Sequence, residues 1–470
     1  MDVGNIVVLD VGKTVAKLSV VSDAGTVIER RERANKRLDA GAYAALDAKG
    51  VEEWLRNSLG FFASRHPITH IVPVAHGAAA AIVRAGRLVC EPMDYETSIP
   101  QAVRDRYAAA RDGFAVTGSP PLPHGLNLGL QLAWLEELIP GVLAGPTLIV
   151  PWPQYWAWVL SGVAASELTS LGSHTDLWNP HERTTSQLAK KRSWAAKLAP
   201  LKPANARLGT LDPAWAAQTR LSPETQILCG MHDSNAAFYA AQRFAEIAGR
   251  EATVVSTGTW FIAMRSISTR DERRQTLPEH RDCLLNVDSL GNPVPSARFM
   301  GGREIEILGG AGPIDAPEEQ PLISRALCTV LAHESMVVPT LTPDIGPFPD
   351  SKGRWIHRSG NPHAERAAIC LYLALNTEVM LALLGTRERI VIEGRFAHLD
   401  LFVRALATLR RDCEVFVSPT ADDVTLGALG LVYPDFRPRS ALERVAPLDV
   451  DLSSYRAKWL AAAESACAPA

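Results

Sequence analysis

A chain of 470 residues that is 47% hydrophobic and 21% charged is too long for one ordinary core and too apolar to be disordered, so two large domains are expected. The formal net charge of −3 excludes a broad electrostatic footprint for nucleic acid. The densest basic stretch, residues 29–37 with five Lys/Arg and two Glu, reads as a solvated strand edge or turn.

The chain opens with apolar runs at 5–9 and 16–21, which predict two strands joined by the tight turn Asp10-Val11-Gly12-Lys13-Thr14. Asp2, Asp10, Lys13 and Lys17 interrupt any signal-peptide core, and no 18-residue apolar run follows, so no membrane segment is expected. A helix is expected at 51–64, then a buried strand at 71–75 running into His76-Gly77. Pro and Gly mark loops at 118–129 and 200–203, and residues 151–160, with three Trp, read as an apolar helix or a buried loop. Gly230-Met231-His232-Asp233-Ser234 leads into a small-residue segment containing Ala236-Ala237.

After a break near 240–250 the plan of strand, turn and strand restarts, with runs at 253–255 and 261–264 around Ser256-Thr257-Gly258-Thr259-Trp260. A long helix at 363–384 and a strand at 389–392 come next. The helix at 399–411 places Leu399, Phe402, Val403, Leu406 and Leu409 on one face of a 3.6 period. A strand at 414–417 and a helix at 424–432 complete an alternation that indicates α/β architecture. The expected domains are 1–243 and 244–450, with 451–470 as a tail.

Seven cysteines (Cys90, Cys229, Cys283, Cys328, Cys370, Cys413 and Cys467) stand singly, without C-x-x-C pairs or zinc spacing. Free thiols in a reducing cytoplasm are the simple reading. Each Gly-containing turn offers hydroxyls, and backbone N–H groups left open by the missing Cβ, which is what a phosphate chain needs. The two turns together suggest an ATP-dependent phosphotransferase with one phosphate hairpin per lobe.

In their order and spacing these residues resemble the FGGY carbohydrate kinases, two-domain enzymes of the sugar kinase, actin and heat-shock ATPase superfamily. The family's D-x-G-x-T is met by Asp10, Gly12 and Thr14, its G-x-x-D-x-x-A-A by Gly230, Asp233, Ala236 and Ala237, and its S-x-G-T by Ser256, Gly258 and Thr259. His76-Gly77, Pro92-Met93-Asp94-Tyr95-Glu96 and Thr117-Gly118 leading to Trp134-Leu135 extend the match, which spans residues 5 to 432. The resemblance implies two actin-like, ribonuclease H-like α/β lobes with a central interdomain cleft, sugar and phosphate bound by the first lobe and nucleotide by the second.

The same resemblance implies Mg²⁺- and ATP-dependent phosphorylation of a sugar hydroxyl by a monomer or homodimer, with no nucleic-acid or membrane partner. Asp233 is the expected general base: a carboxylate is weak towards an alcohol, but the proton becomes acidic once the oxygen bonds to phosphorus, so late transfer suffices. Asp10, with Asp233, is the expected Mg²⁺ holder. Gly12, Lys13 and Thr14 are expected on the terminal phosphates from one lobe and Thr257, Gly258 and Thr259 from the other. The family's Gly-rich nucleotide run is replaced by Glu393-Gly394-Arg395-Phe396-Ala397, of which Gly394 and Phe396 remain the nucleotide candidates.

His76, Gly77, Asp94, Tyr95 and Glu96 are the expected sugar contacts, since a hydroxyl needs partners that donate and accept. Trp260 is similar to the residue found in L-rhamnulose and L-fuculose kinases; an indole suits the apolar methyl of a 6-deoxy sugar, and core packing is an equal reading. Gly301-Gly302-Arg303-Glu304 reads as a Gly-rich turn into a helix. The alternative function is a non-catalytic or chaperone-like nucleotide-binding member of the superfamily.

Overall fold

The computed structural model describes residues 4–267, 276–309, 314–419 and 423–465; Cys467 and positions 466–470 of the expected tail lie outside them. Two compact units are formed, unit 1 from Met1–Arg243, Leu285–Pro293 and Val424–Arg439, and unit 2 from Phe244–Leu284, Val294–Asp423 and Ser440–Ala470. The first break falls inside the stretch 240–250. The single lobe expected over 244–450 is corrected: two later segments return to unit 1, and the described part of the tail is a unit 2 helix.

In unit 1 the elements that carry the argument are β1 (Asn5–Val11), β2 (Val15–Val21), β3 (Val27–Ala34), α1 (Ala48–Ala63), β4 (Ile68–Ala75), β5 (Ala80–Arg84), β6 (Arg87–Leu88), β7 (Thr147–Pro151), α2 (Trp152–Ser161), β8 (Arg207–Thr210), α3 (Pro213–Thr219), β9 (Gln226–Leu228), β10 (Met231–His232) and α4 (Asp233–Ala241). The main sheet runs β8-β9-β4-β1-β2-β3, with β10 also paired to β4. Strands β1, β9 and β10 all lie parallel to β4, while β2 and β3 return antiparallel. The expected loop at 118–129 ends early, because a helix begins at Leu128.

Alternation along β1 buries it on both faces. Val7, Leu9 and Val11 pack with Leu55 and Leu59 of α1 and Trp156 of α2, while Ile6 and Val8 pack with Ala236 of α4. Helix α1 starts at Asp47, whose carboxylate accepts from the Gly50 amide at 2.9 Å, and buries Val51, Leu55, Leu59 and Phe62 at helical spacing. The edge position of β3 accounts for the basic stretch there, as its sequence suggested.

Unit 2 contributes β11 (Ala252–Thr257), β12 (Phe261–Arg265), β13 (Pro293–Phe299), α5 (Gly301–Leu308), α6 (Pro362–Leu383), β14 (Arg389–Gly394), α7 (Asp400–Leu409), β15 (Glu414–Val417), α8 (Asp423–Val432), β16 (Glu443–Arg444) and α9 (Ser453–Ser465). From Val424 onward α8 belongs to unit 1. The strands follow the order β13-β12-β11-β14-β15-β16, with β11, β14 and β15 parallel. Although no 18-residue apolar run was expected, α6 holds an 18-residue window of mean hydropathy 1.4; 89% of that window is buried, as in a core helix. Helix α7 is buried on more than the one expected face, with Leu401, Ala405, Ala407 and Thr408 also inside, because α6, β15 and the helix Gln320–Arg325 pack around it.

Two glycines of unit 1 are demanded by close approach. Gly230 has φ +76°, and a Cβ there would sit 1.9 Å from the Pro73 carbonyl oxygen. A Cβ at Gly427 of α8 would sit 2.0 Å from the Ala236 carbonyl oxygen, so the small residues after Asp233 are a helix-packing surface. Gly230→Ala should therefore combine left-handed backbone strain with a backbone clash and lower stability by roughly 2 kcal/mol or more. Thermal unfolding that leaves the midpoint within about 1 °C of wild type would refute this packing account.

Candidate active site

Because β1 and β10 flank β4 in parallel, their carboxyl ends reach the same edge of the sheet. Asp10 stands opposite Val74, His232 stands opposite Ala75, and the next residues along are Asp233 and His76. The turn after Asp10 is tight: the Gly12 amide donates to the Val15 carbonyl at 3.1 Å. Asn35 braces it from outside, its side-chain amide donating to the Gly12 carbonyl at 2.8 Å and its backbone amide to the Thr14 carbonyl at 2.8 Å. Sequence reading missed Asn35, which lies in strand-edge sequence with no motif around it. Lys17, directly across the ladder from Asp10, was also missed as a partner.

Burial pushes the Asp10 carboxyl up to about 7, the Asp233 carboxylate pushes in the same direction, and Lys17 and Arg30 oppose both. A carboxyl raised both by burial and by a neighbouring carboxylate marks a site that favours a cation. Among the described residues no group of three or more His, Cys, Asp or Glu is arranged for a metal, so an all-protein cage is not formed. Two carboxylates fit Mg²⁺, which keeps several waters and takes phosphate oxygens as further ligands.

Asp233 is the first residue of α4 and its side chain is 28% exposed. It does not cap the helix in the ordinary way: among the described residues it accepts from its neighbour Ser234, the amide at 2.6 Å and the hydroxyl at 3.3 Å. Behind it stands the His232 ring, with Nε2 at 3.3 Å from Asp233 Oδ1. Asn235 donates through its amide to the Val287 carbonyl at 2.7 Å, so its Oδ1 is left to face His232 Nδ1 at 3.0 Å, and that ring nitrogen carries the hydrogen. The His232 amide donates to the Thr169 hydroxyl oxygen at 3.1 Å, and that hydroxyl donates to Glu167, whose carboxyl burial pushes up to about 7. Gly77 completes the enclosure, since a Cβ there would lie 2.8 Å from His232 Nε2.

A cavity of about 190 Å³ in unit 1 is lined by Gly12, Lys13, Thr14, His76, Asp94 and Glu96, together with Asn35, Lys36, Arg37 and Trp152, which sequence reading had not named. The basic stretch is therefore solvated along β3 but contributes Lys36 and Arg37 to a pocket. His76 Nδ1 donates to the Gly77 carbonyl at 2.8 Å, leaving Nε2 as an acceptor, and burial lowers its basicity so that the ring is neutral. Tyr95 packs edge-on to His76, with ring centroids 5.6 Å apart.

Lys13 departs from its expected place. Its ammonium is paired with the buried Asp94, lies 3.8 Å from Glu96 and sits over the Tyr95 ring at 4.9 Å. Rather than reaching outward, it neutralises the carboxylate of the expected sugar-binding segment. Asp94 also accepts from the Glu96 amide at 2.8 Å and has Arg37 at 3.7 Å.

In unit 2 the turn between β11 and β12 is closed by the Gly258 amide donating to the Trp260 carbonyl at 3.0 Å, with Thr259 exposed at its tip. Two expected ligand contacts are structural here. The Thr257 hydroxyl donates to the Glu393 carbonyl at 2.6 Å and accepts from the Phe396 amide at 3.0 Å, so it ties β11 to β14. The Phe396 ring is buried beside Phe261, 5.7 Å away, with no open face for a base. Gly394, φ +85°, is needed for this approach, because a Cβ would meet the Thr257 carbonyl oxygen at 2.4 Å.

Gly302 brings the start of α5 against the same turn, where a Cβ would lie 2.3 Å from the Gly258 carbonyl oxygen. Glu304 is spent on the Leu341 and Thr342 amides and the Tyr372 hydroxyl, in keeping with a structural helix start. Trp260 is half-buried, with the Arg298 guanidinium 4.6 Å above its ring. Arg395 pairs with Asp315 at 2.7 Å. Glu393 accepts from the Ser256 hydroxyl, and burial, reinforced by Asp423, holds its carboxyl well above the usual range.

A family model described as the C-terminal domain of FGGY carbohydrate kinases matches residues 249–440. No curated protein matches the chain. Among solved structures, a carbohydrate kinase from Novosphingobium aromaticivorans is 48% identical over 100% of both chains, with a TM-score of 0.93. Gluconate kinase from Lactobacillus acidophilus, 13% identical over 98% of this chain and 96% of that one, has a TM-score of 0.80. Plasmodium falciparum glycerol kinase with ADP, 13% identical over 99% of each chain, has a TM-score of 0.79. At that identity the last two show the fold, that of the actin-like sugar kinases.

Asn235→Ala frees the His232 ring without touching the pocket lining. It should lower kcat about tenfold or more while the acceptor KM stays within about twofold, and an equal rise in KM would mean that Asn235 supports the whole pocket instead. For Glu393, whose folded-state carboxyl lies above its ordinary value of 4.5, the folded chain holds a proton that the unfolded chain has lost, so stability falls as pH rises above about 4.5. Glu393→Gln keeps the Ser256 bond and cannot ionise. Its melting temperature should fall less than wild type between about pH 5.5 and 8, and parallel curves would show that the carboxyl does not titrate in that range.

Proposed function

The chain belongs to the FGGY carbohydrate kinases, and from that premise we propose that it transfers the γ-phosphoryl group of ATP to a hydroxyl of a ketose held in the unit 1 pocket, with Asp233 as general base. The observation that carries this reading is the placement of a partly exposed, backed carboxylate at the edge of the sheet that also carries Asp10 and His76. Phosphoryl transfer asks little covalent chemistry of a protein; it asks for alignment, charge compensation and an acceptor for one proton.

His76 accepts a hydrogen bond from one sugar hydroxyl through Nε2, and the Asp94, Tyr95 and Glu96 segment, held by Lys13, offers further partners. Asp233 takes the proton of the attacking hydroxyl late, when the forming bond to phosphorus has made it acidic. Gly12 and the exposed Thr14 of the unit 1 turn offer groups for phosphate oxygens, and Gly258 and the exposed Thr259 offer the same kind of groups in the unit 2 turn. Asp10 with Asp233 would hold Mg²⁺, which when bound offsets the charge of the phosphates. Ketoses such as L-rhamnulose and L-fuculose come first among acceptors, because Trp260 is similar to the residue of the kinases that act on those sugars. The six described cysteines are free, which supports a reducing, cytoplasmic setting.

A coupled ADP-release assay with Mg-ATP and a panel of L-rhamnulose, L-fuculose, L- and D-ribulose, D-xylulose, D-gluconate and glycerol tests the proposal. Turnover of a ketose is expected, and Asp233→Asn should reduce it by roughly 100-fold or more with nucleotide binding retained. A variant that keeps more than about a tenth of the rate removes Asp233 as the base, and a panel without turnover by an ATP-binding protein favours the non-catalytic reading.

A further inference from the structure

The segment from Thr117-Gly118 to Trp134-Leu135 supplies no side chain to the cavity beside His76. Its helix, Leu128–Leu138, buries every residue from Leu128 to Leu135, and Gln131, 1% exposed, is the one among them with an amide side chain. A buried amide costs stability unless it is bonded, and both hydrogens of this one are spent. They are donated to the Ala78 carbonyl at 2.7 Å and to the Gly125 carbonyl at 2.6 Å. Since both partners are carbonyl oxygens, the nitrogen of the amide is the atom that faces them.

Each carbonyl belongs to a chain path that ends at the cavity. Ala78 follows His76 and Gly77 in the turn between β4 and β5, and its φ of +54° is left-handed, which a residue with a Cβ keeps only where its surroundings hold it. The ends of that turn are held by backbone, the His76 amide donating to the Val11 carbonyl at 3.2 Å and the Trp152 amide to the Ala79 carbonyl at 3.0 Å. Between those ends Gln131 holds the Ala78 carbonyl. On its other side the Gly125 amide donates to the Tyr95 carbonyl at 2.8 Å, so one amide group joins the His76 turn to the segment Asp94-Tyr95-Glu96. The two meet again at the cavity, where the Tyr95 ring stands edge-on to His76 at 5.6 Å.

We propose that Gln131 is the positioning residue of the acceptor pocket, fixing the His76 turn and the Asp94-Tyr95-Glu96 segment at one spacing; this rests on the reading of that pocket as the acceptor site. Gln131 does not line the pocket. It acts through Ala78 and, by way of Gly125, through Tyr95. A sugar that bonds His76 Nε2 with one hydroxyl and the acidic segment with another needs both partners in place together, because a hydrogen bond weakens steeply away from its proper length and angle. Loss of the link therefore weakens the hold on the acceptor and leaves the hold on the nucleotide as it was.

Gln131→Met keeps the length of the side chain and removes both donors. With the best acceptor of the panel, acceptor KM should rise about tenfold or more while kcat stays within about threefold and the KM for ATP within about twofold. Gly125→Ala, whose Cβ would lie 3.3 Å from Gln131 Cγ and from the Tyr95 carbonyl oxygen, presses on the same link and should raise acceptor KM about threefold. It carries the kinetic test alone if Gln131→Met does not fold. Acceptor KM within about twofold of wild type, or the KM for ATP rising in parallel, would make Gln131 a packing residue and overturn the inference. If no acceptor is turned over, the reading of the pocket fails separately, and NMR of the histidine rings in the ligand-free chain decides the link, with His76 identified by its loss in His76→Asn. The His76 signals, which feel the Tyr95 ring, should move in Gln131→Met and in Gly125→Ala; signals unmoved in both would overturn the inference.

Discussion

Two carboxylates brought together at one edge of a sheet repel each other, and unit 1 is built around holding them there. Asp10 rides on a strand buried on both faces, so it cannot retreat without unpacking Val7, Leu9 and Val11 from α1 and α2. Asp233 is delivered from the other side of β4 by a strand of only two residues, and that delivery passes through Gly230 because no side chain fits against Pro73. Burial raises the proton affinity of Asp10, to about 7, and the Asp233 carboxylate adds to it. A cation beside the pair opposes both, which ties its electrostatics to the chemistry proposed.

Unit 2 repeats the plan with different chemistry. Ser256 stands two residues before Gly258 as Asp10 stands before Gly12, and Glu393 lies opposite Ser256 in register as Val74 lies opposite Asp10. The acid has moved from the hairpin strand to its neighbour and is buried with Asp423, accepting from Ser256. A carboxyl so placed keeps its proton and acts as a hydrogen-bonding strut between strands. Thr257 does the same work one residue on, tying the end of β14 to β11.

The strands and helices that carry the site were legible because their signals are local: apolar runs of strand length, turns marked by Gly, and the 3.6 period of α7. Residues joined only by distant pairing were not. The return of 285–293 and 424–439 to unit 1 leaves no local trace, since composition does not change at either point. Asn35 acts through a turn 23 residues earlier, and Asn235 through a carbonyl 52 residues later. Lys13 was read from its neighbours in sequence as a phosphate ligand, whereas the partner that claims it, Asp94, lies 81 residues on. Phe396 followed a nucleotide motif in sequence, and Phe261, itself packed against Phe299 and Phe402, took it into the core.

The motif residues themselves divide into two kinds once the packing is known. Gly230, Ala236 and Ala237 surround Asp233 in sequence, and their part is packing: Gly230 admits the Pro73 carbonyl, and Gly427 of α8 admits the Ala236 carbonyl. They make the approach of a strand and a helix close enough for Asp233 to stand at the sheet edge. What orients the carboxylate comes instead from His232, which is fixed by Asn235 on one side and Thr169 on the other and is given room by Gly77. Because Asn235 commits its amide to Val287, its Oδ1 accepts from His232 Nδ1 and fixes the plane of the ring, which sets the edge that Nε2 presents 3.3 Å from Asp233. The carboxylate is thereby backed on one side and stays 28% exposed on the other, where the hydroxyl proton of the proposed transfer can reach it.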